Sequence, residues 1–233
     1  MPKGLQPKGV MRKNKMLLAA VKLFLKDGYE KTTTAAIARK AGMAPSSFFA
    51  AYENKEALLL TLVERMISYH FDAAQKFVSK DADPVMLYAV ETSLQMYITE
   101  LTEAIREVYI MAYSLPTTSE YIYQTTAEKW MYVFRNYMPD AQLKDFYETD
   151  IASSSIMRGF MAKKCDLYFT IEQKIQRFLY CSLAVYRVPE ERQKKITEEV
   201  LKLDLKPVAG AIITQIVEEA EEGFEDAMTV EKE

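Results

Sequence analysis

Side chains that usually carry out covalent or metal chemistry are scarce in this chain. Its 233 residues include one histidine, His70, and two cysteines, Cys165 and Cys181. The cysteines show neither metal-ligand nor redox spacing, so reduced thiols in a cytoplasmic protein are expected. One imidazole excludes metal chemistry that relies on several. There is no Gly-rich phosphate loop and no nucleophile–base signature. The expectation is a protein that is not an enzyme, with no catalytic residues, metal or cofactor. What the sequence does offer is unevenly placed charge. Residues 1–66 carry 12 Lys+Arg against 5 Asp+Glu, a net +7, whereas the remainder carries 18 against 28, a net −10. A small basic head suits a polyanion, and the acidic body would be repelled by one.

The elements that must position these charges are helical. Only 7 Gly and 8 Pro punctuate the chain, which favours long helices over many short strands. Met16, Leu17, Ala20, Val21, Leu23 and Phe24 fall on one face of a helix over 12–27, which Gly28 ends. Thr32, Thr33 and Thr34 offer an N-cap for a short helix over 34–41. Gly42 supplies a corner, and Pro45 suits the first position of a second short helix over 45–52. Asn54 caps a longer helix over 55–80. Further helices are expected near 84–102, 103–114, 117–137, 140–164, 170–187, 190–203 and 206–225. No alternating strand pattern occurs, and no uncharged apolar run is long enough to span a membrane. The expected fold is therefore all-α.

Two stubby helices would be marginal alone. Packed at a sharp angle on Leu17, Val21 and Phe24, they make a helix-turn-helix whose second helix projects toward a DNA major groove. Here the sequence resembles a known family. "MLLAAVKLFLKDGYEKTTTAAIARKAGM" followed by "SSFFAAYENKEALL" is similar to the DNA-binding region of the TetR (tetracycline repressor) family. The paired alanines, glycine-tyrosine, threonine pair, Ile-Ala, Ala-Gly, aromatic and Lys-Glu fall in the family's order. The match spans about a fifth of the chain.

The resemblance implies a three-helix DNA-binding domain over 1–66, with a basic arm at 1–15, and a helical ligand-binding and dimerisation domain over 67–233. It implies a recognition helix at 45–52, with Met43, Pro45, Ser46 and Ser47 nearest the DNA. Thr33 or Thr34 and Lys55 would hold phosphate oxygens. Phe49 and Tyr52 join this set, although Phe48 and Tyr52, four apart, are expected to face inward. Three positions depart from the family pattern. Phe49 stands where tyrosine is usual, Ala51 where tyrosine or histidine is common, and Ala44 where serine usually caps. No Arg, Asn or Gln lies between 43 and 52, so base readout would fall to methyl contacts and to Arg39 or Lys40. Lys3, Lys8, Arg12, Lys13 and Lys15 would track the backbone or enter a minor groove, or else form a solubilising tail.

For the body, the resemblance implies an effector pocket between the middle helices, and the body's aromatic content points to a small apolar or aromatic effector. Glu91, Gln95 and Arg106 are candidate anchors because they sit on otherwise apolar helices. Tyr97, Tyr109, Trp130, Phe134 and Phe160 are candidate walls. A two-fold operator requires a homodimer, expected through 145–164 and 170–187, with the last helix as competitor. The expected function is a ligand-responsive DNA-binding transcription regulator, a repressor released from a double-stranded DNA operator by its effector. The alternative is a helical interaction protein with weakened DNA binding.

Overall fold

The computed structural model describes residues 7–79 and 82–230, with side chains placed from residue 9 to 225 of these. It contains α1 (Pro7–Asp27), α2 (Thr34–Lys40), a 3-10 turn (Pro45–Phe48), α3 (Lys55–Gln75), α4 (Val85–Ile98), α5 (Glu103–Ala112), α6 (Pro116–Phe134), α7 (Leu143–Ala162), α8 (Ile171–Val185), α9 (Glu190–Val200) and α10 (Lys206–Val230). No strand occurs among the described residues, so the fold is all-α as expected.

The head forms around α1. Met16, Leu17, Ala20, Val21 and Phe24 are buried against Ile37, Ala38, Phe48 and Tyr52. Gly28 ends α1 at φ +84°, a conformation in which a side chain would be strained. Thr33 caps α2, its hydroxyl accepting from the Ala36 N–H at 3.1 Å. At the corner, Gly42 has φ +73°. Its N–H bonds Arg39 O at 3.0 Å, and the Met43 N–H reaches back to Ala38 O at 2.9 Å. This pair of bonds is a Schellman closure, which satisfies the last carbonyls of α2.

Two boundaries differ from expectation. The segment expected to be helical over 45–52 is one 3-10 turn, continued by turns to Ala51. Ala44 provides no side-chain cap, and Ser46, Ser47 and the adjacent aromatics are weak helix formers. In addition, α1 begins at Pro7 instead of residue 12. Arg12, Lys13 and Lys15 therefore stand on a helix and not on a free arm. Lys3 and the side chain of Lys8 lie outside the described residues.

The body is built around α4, which is buried on nearly every side and carries Glu91, Thr92, Ser93 and Gln95 into the interior. A helix apolar all round belongs at the centre of a bundle, and α4 packs on α3, α6, α7, α8, α9 and α10. Helix α3 passes through residue 66 without interruption. Its Leu58, Leu59 and Leu62 lie in the head's core, and its Ile67, His70 and Ala74 lie in the body's. Helix α10 packs on α4 and α3 and then continues along α1. There Lys22 pairs with Glu221 at 2.7 Å, the Asn14 amide donates to Gly223 O at 2.5 Å, and the Lys15 ammonium lies 5.6 Å above the Phe224 ring.

Candidate nucleic-acid interface and internal cavity

Around the corner, Thr33, Arg39, Lys40, Pro45 and Ser46 are exposed, while Thr34, Met43 and Ser47 are half-buried. Phe49 is 63% exposed and rests edge-on against buried Phe48, ring centroids 5.5 Å apart. An apolar ring held out on a basic head can contact thymine methyls or sugar faces. Tyr52, by contrast, is buried. Its hydroxyl bonds Thr61, and burial raises its ionisation above the usual tyrosine range. Its ring lies 5.5 Å beneath the Lys13 ammonium, so Tyr52 serves the head's core.

Lys55 is also engaged internally. Its ammonium donates to Tyr29 O at 2.8 Å and Thr32 O at 3.0 Å, and it lies 3.9 Å over the Tyr29 ring. Burial lowers its pKa, opposed by Glu30 and Glu107. The two bonds tie the start of α3 to the turn between α1 and α2. One N–H remains for an outside acceptor.

Between α3, α4, α6 and α7 lies a small cavity of about 20 Å³, lined among others by Phe71, Tyr88, Glu91, Gln95, Trp130 and Asp150. Of the candidates named from sequence, this brings together Glu91, Gln95 and Trp130. Tyr109 lies behind them, its hydroxyl 2.7 Å from His70 Nε2. The other four lie elsewhere. The Arg106 guanidinium pairs with Glu100 at 3.0 Å, and buried Lys174 holds the other oxygen of Glu100 at 2.6 Å. Phe134 is stacked on Tyr186 at 3.9 Å. Phe160 packs on Phe169 and Phe178. Tyr97 lines a surface cleft with Glu100 and Thr170.

The sequence reading missed His70 and Asp150. Asp150 is fully buried. It accepts from Thr126 at 2.6 Å and from Tyr186 at 3.0 Å. Burial pushes its carboxyl up to about 6, with Glu91 adding to the effect and bonds from Thr126, Tyr186 and Trp130 opposing it. A signal was available: Asp150 sits on the apolar stripe Phe146–Ser153–Met157 of α7, where a carboxylate has no solvent. His70 likewise falls on the stripe of Val63, Met66 and Ala74.

A helix-turn-helix on a basic head, joined by one continuous helix to a cavity-bearing bundle, defines a DNA-binding regulator. Residues 16–62 match the family described as bacterial regulatory proteins, tetR family. The chain is 25% identical over 152 residues to an uncharacterised HTH-type transcriptional regulator, YvdT, of Bacillus subtilis (strain 168), covering 64% of this chain and 72% of that one. Its fold is similar to two solved structures. One is SmeT, the repressor of the Stenotrophomonas maltophilia multidrug efflux pump SmeDEF, with TM-score 0.51 and 16% identity over 80% of this chain and 92% of that one. The other is a gamma-butyrolactone receptor (ArpA-like protein), with TM-score 0.50 and 15% identity over 86% and 98%. Residues 16–62 thus carry the DNA-binding region of that family, and the whole chain shares the all-helical fold of the solved structures.

Proposed function

We propose that the chain is a homodimeric repressor with a DNA-binding head over 1–66 and an effector-binding, dimerising body over 67–233. A small organic effector in the body cavity relaxes its grip on a two-fold operator. One observation carries this reading: α3 belongs to both parts. Its Ile67 and Phe71 line the cavity, while its first turn holds the head through Lys55. The Glu56 carboxylate also accepts from the Thr117 N–H at 2.6 Å, so α3 and the start of α6 move as neighbours. An effector that displaces Phe71 or α6 would tilt α3 and change the spacing of two recognition turns. Affinities for DNA and effector are then reciprocally coupled. The small-molecule receptor and the repressor named among the structural relatives fit the same scheme.

The dimer surface is best placed on α7 and α8. Helix α7 turns Ala152, Ser155, Gly159 and Ala162 outward, and α8 exposes Tyr180 and Cys181. Small residues at that spacing permit close approach of two helices. The apolar stripes of α8 and α10 are largely committed within the chain.

Selection of DNA from a random pool by the purified protein tests the regulator reading. The expected product is a palindrome whose half-sites lie about 34–36 Å apart, or a multiple of that. Ser46→Ala and Ser47→Ala should weaken its binding. The shortened recognition turn, with no Arg, Asn or Gln from 43 to 52, favours a second reading, an interaction protein with weak DNA affinity. Failure to enrich any sequence would establish that reading and refute the first.

A further inference from the structure

The end of α10 is a run of carboxylates laid against the most basic helix of the chain. Residues 218–226 read EEAEEGFED, six acidic side chains with no Lys or Arg among them. Helix α1 holds six Lys and Arg and, before Asp27, no acidic residue. A block of like charges ordinarily stays solvated or leaves the fold. Here it continues α10, which packs antiparallel along α1. Ile213 and Ile216 share a small apolar cleft with Val21, Phe24 and Leu25. Further on, Gly223 O accepts from Asn14, and Phe224 lies beneath Lys15. Glu221 pairs with Lys22 at 2.7 Å, and Glu219 pairs with Arg65 of α3 at 3.2 Å. Two cations of the head are thus neutralised by this helix. Phe224 also walls a surface cleft with Lys15, Lys22 and Lys40, and Lys40 ends α2 at the corner of the helix-turn-helix. In the same direction α10 runs toward the first two turns of α1, which carry Arg12 and Lys13.

We propose that this contact is autoinhibitory: the carboxylates of α10 compete with DNA phosphates for the head and hold its affinity for duplex DNA below what its own cations would give. This rests on the reading of the head as a DNA-binding unit and adds a restraint carried by the same chain. A cation that is already paired has no condensed counterion of DNA to replace until its carboxylate is displaced, so its share of the drive for binding is withheld. The other carboxylates of the run add a negative field that reaches about 8–10 Å at moderate salt and repels a polyanion. The contacts that hold the acidic end suit a restraint that can be undone. Lys22 and Glu221 are 44% and 46% exposed, and exposed pairs are weak and screened by salt. The apolar anchor of α10, Ile213 and Ile216, comes earlier in the helix, so the acidic end can be altered without opening that packing.

The test uses the full chain and a labelled mixed-sequence duplex of about 30 base pairs, long enough for two successive major-groove contacts. One variant combines Glu221→Gln, Glu222→Gln and Glu225→Gln, which removes three charges and keeps good helix formers in place. A control combines Glu191→Gln, Glu198→Gln and Glu199→Gln, exposed positions on α9, which packs on the body helices α4 and α8. It changes net charge equally but away from the head. Fluorescence anisotropy from about 50 to 200 mM salt reads affinity and its salt dependence. The α10 variant is expected to bind about threefold or more tighter than the parent at the low end. Its log–log salt slope should be steeper by about one, the contribution of a freed Lys22, so the gain fades as salt rises. The control should match the parent. Ending the chain before Glu218 should give at least the gain of the α10 variant, and the glutamine variants stand alone if that shorter chain does not fold. Equal affinity and slope for parent and α10 variant overturn the inference and leave the DNA-binding reading intact. An equal gain in the α9 control, or a gain that does not fade with salt, also overturns it. Binding by none of these proteins overturns the inference and the DNA-binding reading together.

Discussion

Replacing Asp150 with asparagine should make the protein more stable at alkaline pH, although it removes a fully buried, hydrogen-bonded side chain. The carboxyl is pushed from 3.8 to about 6, chiefly by burial. That difference corresponds to about 3 kcal/mol between the two protonation states. The folded state binds the proton more tightly than the unfolded chain. The stability this contributes is therefore present below pH 3.8 and is lost as pH rises through about 6. The surroundings accept a neutral group. Thr126 Oγ1 lies 2.6 Å from Asp150 Oδ2 and 2.7 Å from Ile122 O, yet a hydroxyl has one proton to give. A neutral acid, or the amide of asparagine, can donate to Thr126 while Thr126 donates to Ile122. The remaining oxygen still accepts from Tyr186. Asp150→Asn should thus match the parent near pH 4 and exceed it by about 1–3 kcal/mol near pH 8, the lower end reflecting weaker neutral hydrogen bonds. Urea unfolding across that range measures the difference. A variant less stable than its parent at pH 8, or a difference that does not change with pH, would refute the reasoning.

Three further outcomes are expected. Lys55→Ala should lower stability by about 2 kcal/mol, because it removes two charge-assisted bonds to Tyr29 O and Thr32 O; denaturant midpoints check this. If the remaining N–H also holds a phosphate, the log–log salt slope of operator binding falls by about one, and an unchanged slope assigns Lys55 to the fold alone. Phe49→Ala, at an exposed position, should leave thermal stability within about 0.5 kcal/mol while weakening operator binding in a gel shift; intact binding would remove Phe49 from the interface. Ending the chain before Glu218 removes the α10 contacts of Lys22, Asn14 and Arg65. Amide exchange in α1 should then quicken relative to α4, and equal protection would show that α10 does not restrain the head.

How far the sequence reached depended on how local the deciding physics was. The α1–α2–corner segment was legible because each device is a short pattern: Gly28 and Gly42 at positive φ, Thr33 and Asn54 as caps. The recognition turn was over-read as a helix. Pro45 signals a start, but nothing in Ala44–Phe49 sustains propagation once a side-chain cap is missing. The cavity was half legible. Glu91 and Gln95 stood out as polar residues on an apolar helix, whereas Arg106 met the same criterion and is consumed by Glu100. That pairing joins α5 to the end of α4 and also draws in Lys174 from α8, a contact no spacing rule reveals. The aromatic candidates divided similarly, since only packing tells Trp130 on the cavity from Phe134 stacked on Tyr186.

The least expected feature bears most directly on how a cavity and a head could communicate. The head is tied to the body through α3, through α10 and through α5, whose Glu107 accepts from the Glu30 N–H at 2.6 Å. Helix α3 enters both cores through buried side chains, Leu58, Leu59 and Leu62 in one and Ile67, His70 and Ala74 in the other, and cannot slip without opening them. Helix α10 holds α1 through apolar residues, Ile213 and Ile216 facing Val21, Phe24 and Leu25, and through surface pairs such as Lys22–Glu221, 44% and 46% exposed, which contribute about 0–1 kcal/mol each and weaken in salt. A ligand acting on α3 at Ile67 and Phe71 would therefore displace a helix that enters both cores, against apolar packing on α10 and α5. Two states separated by a few kcal/mol are what a small effector can redistribute.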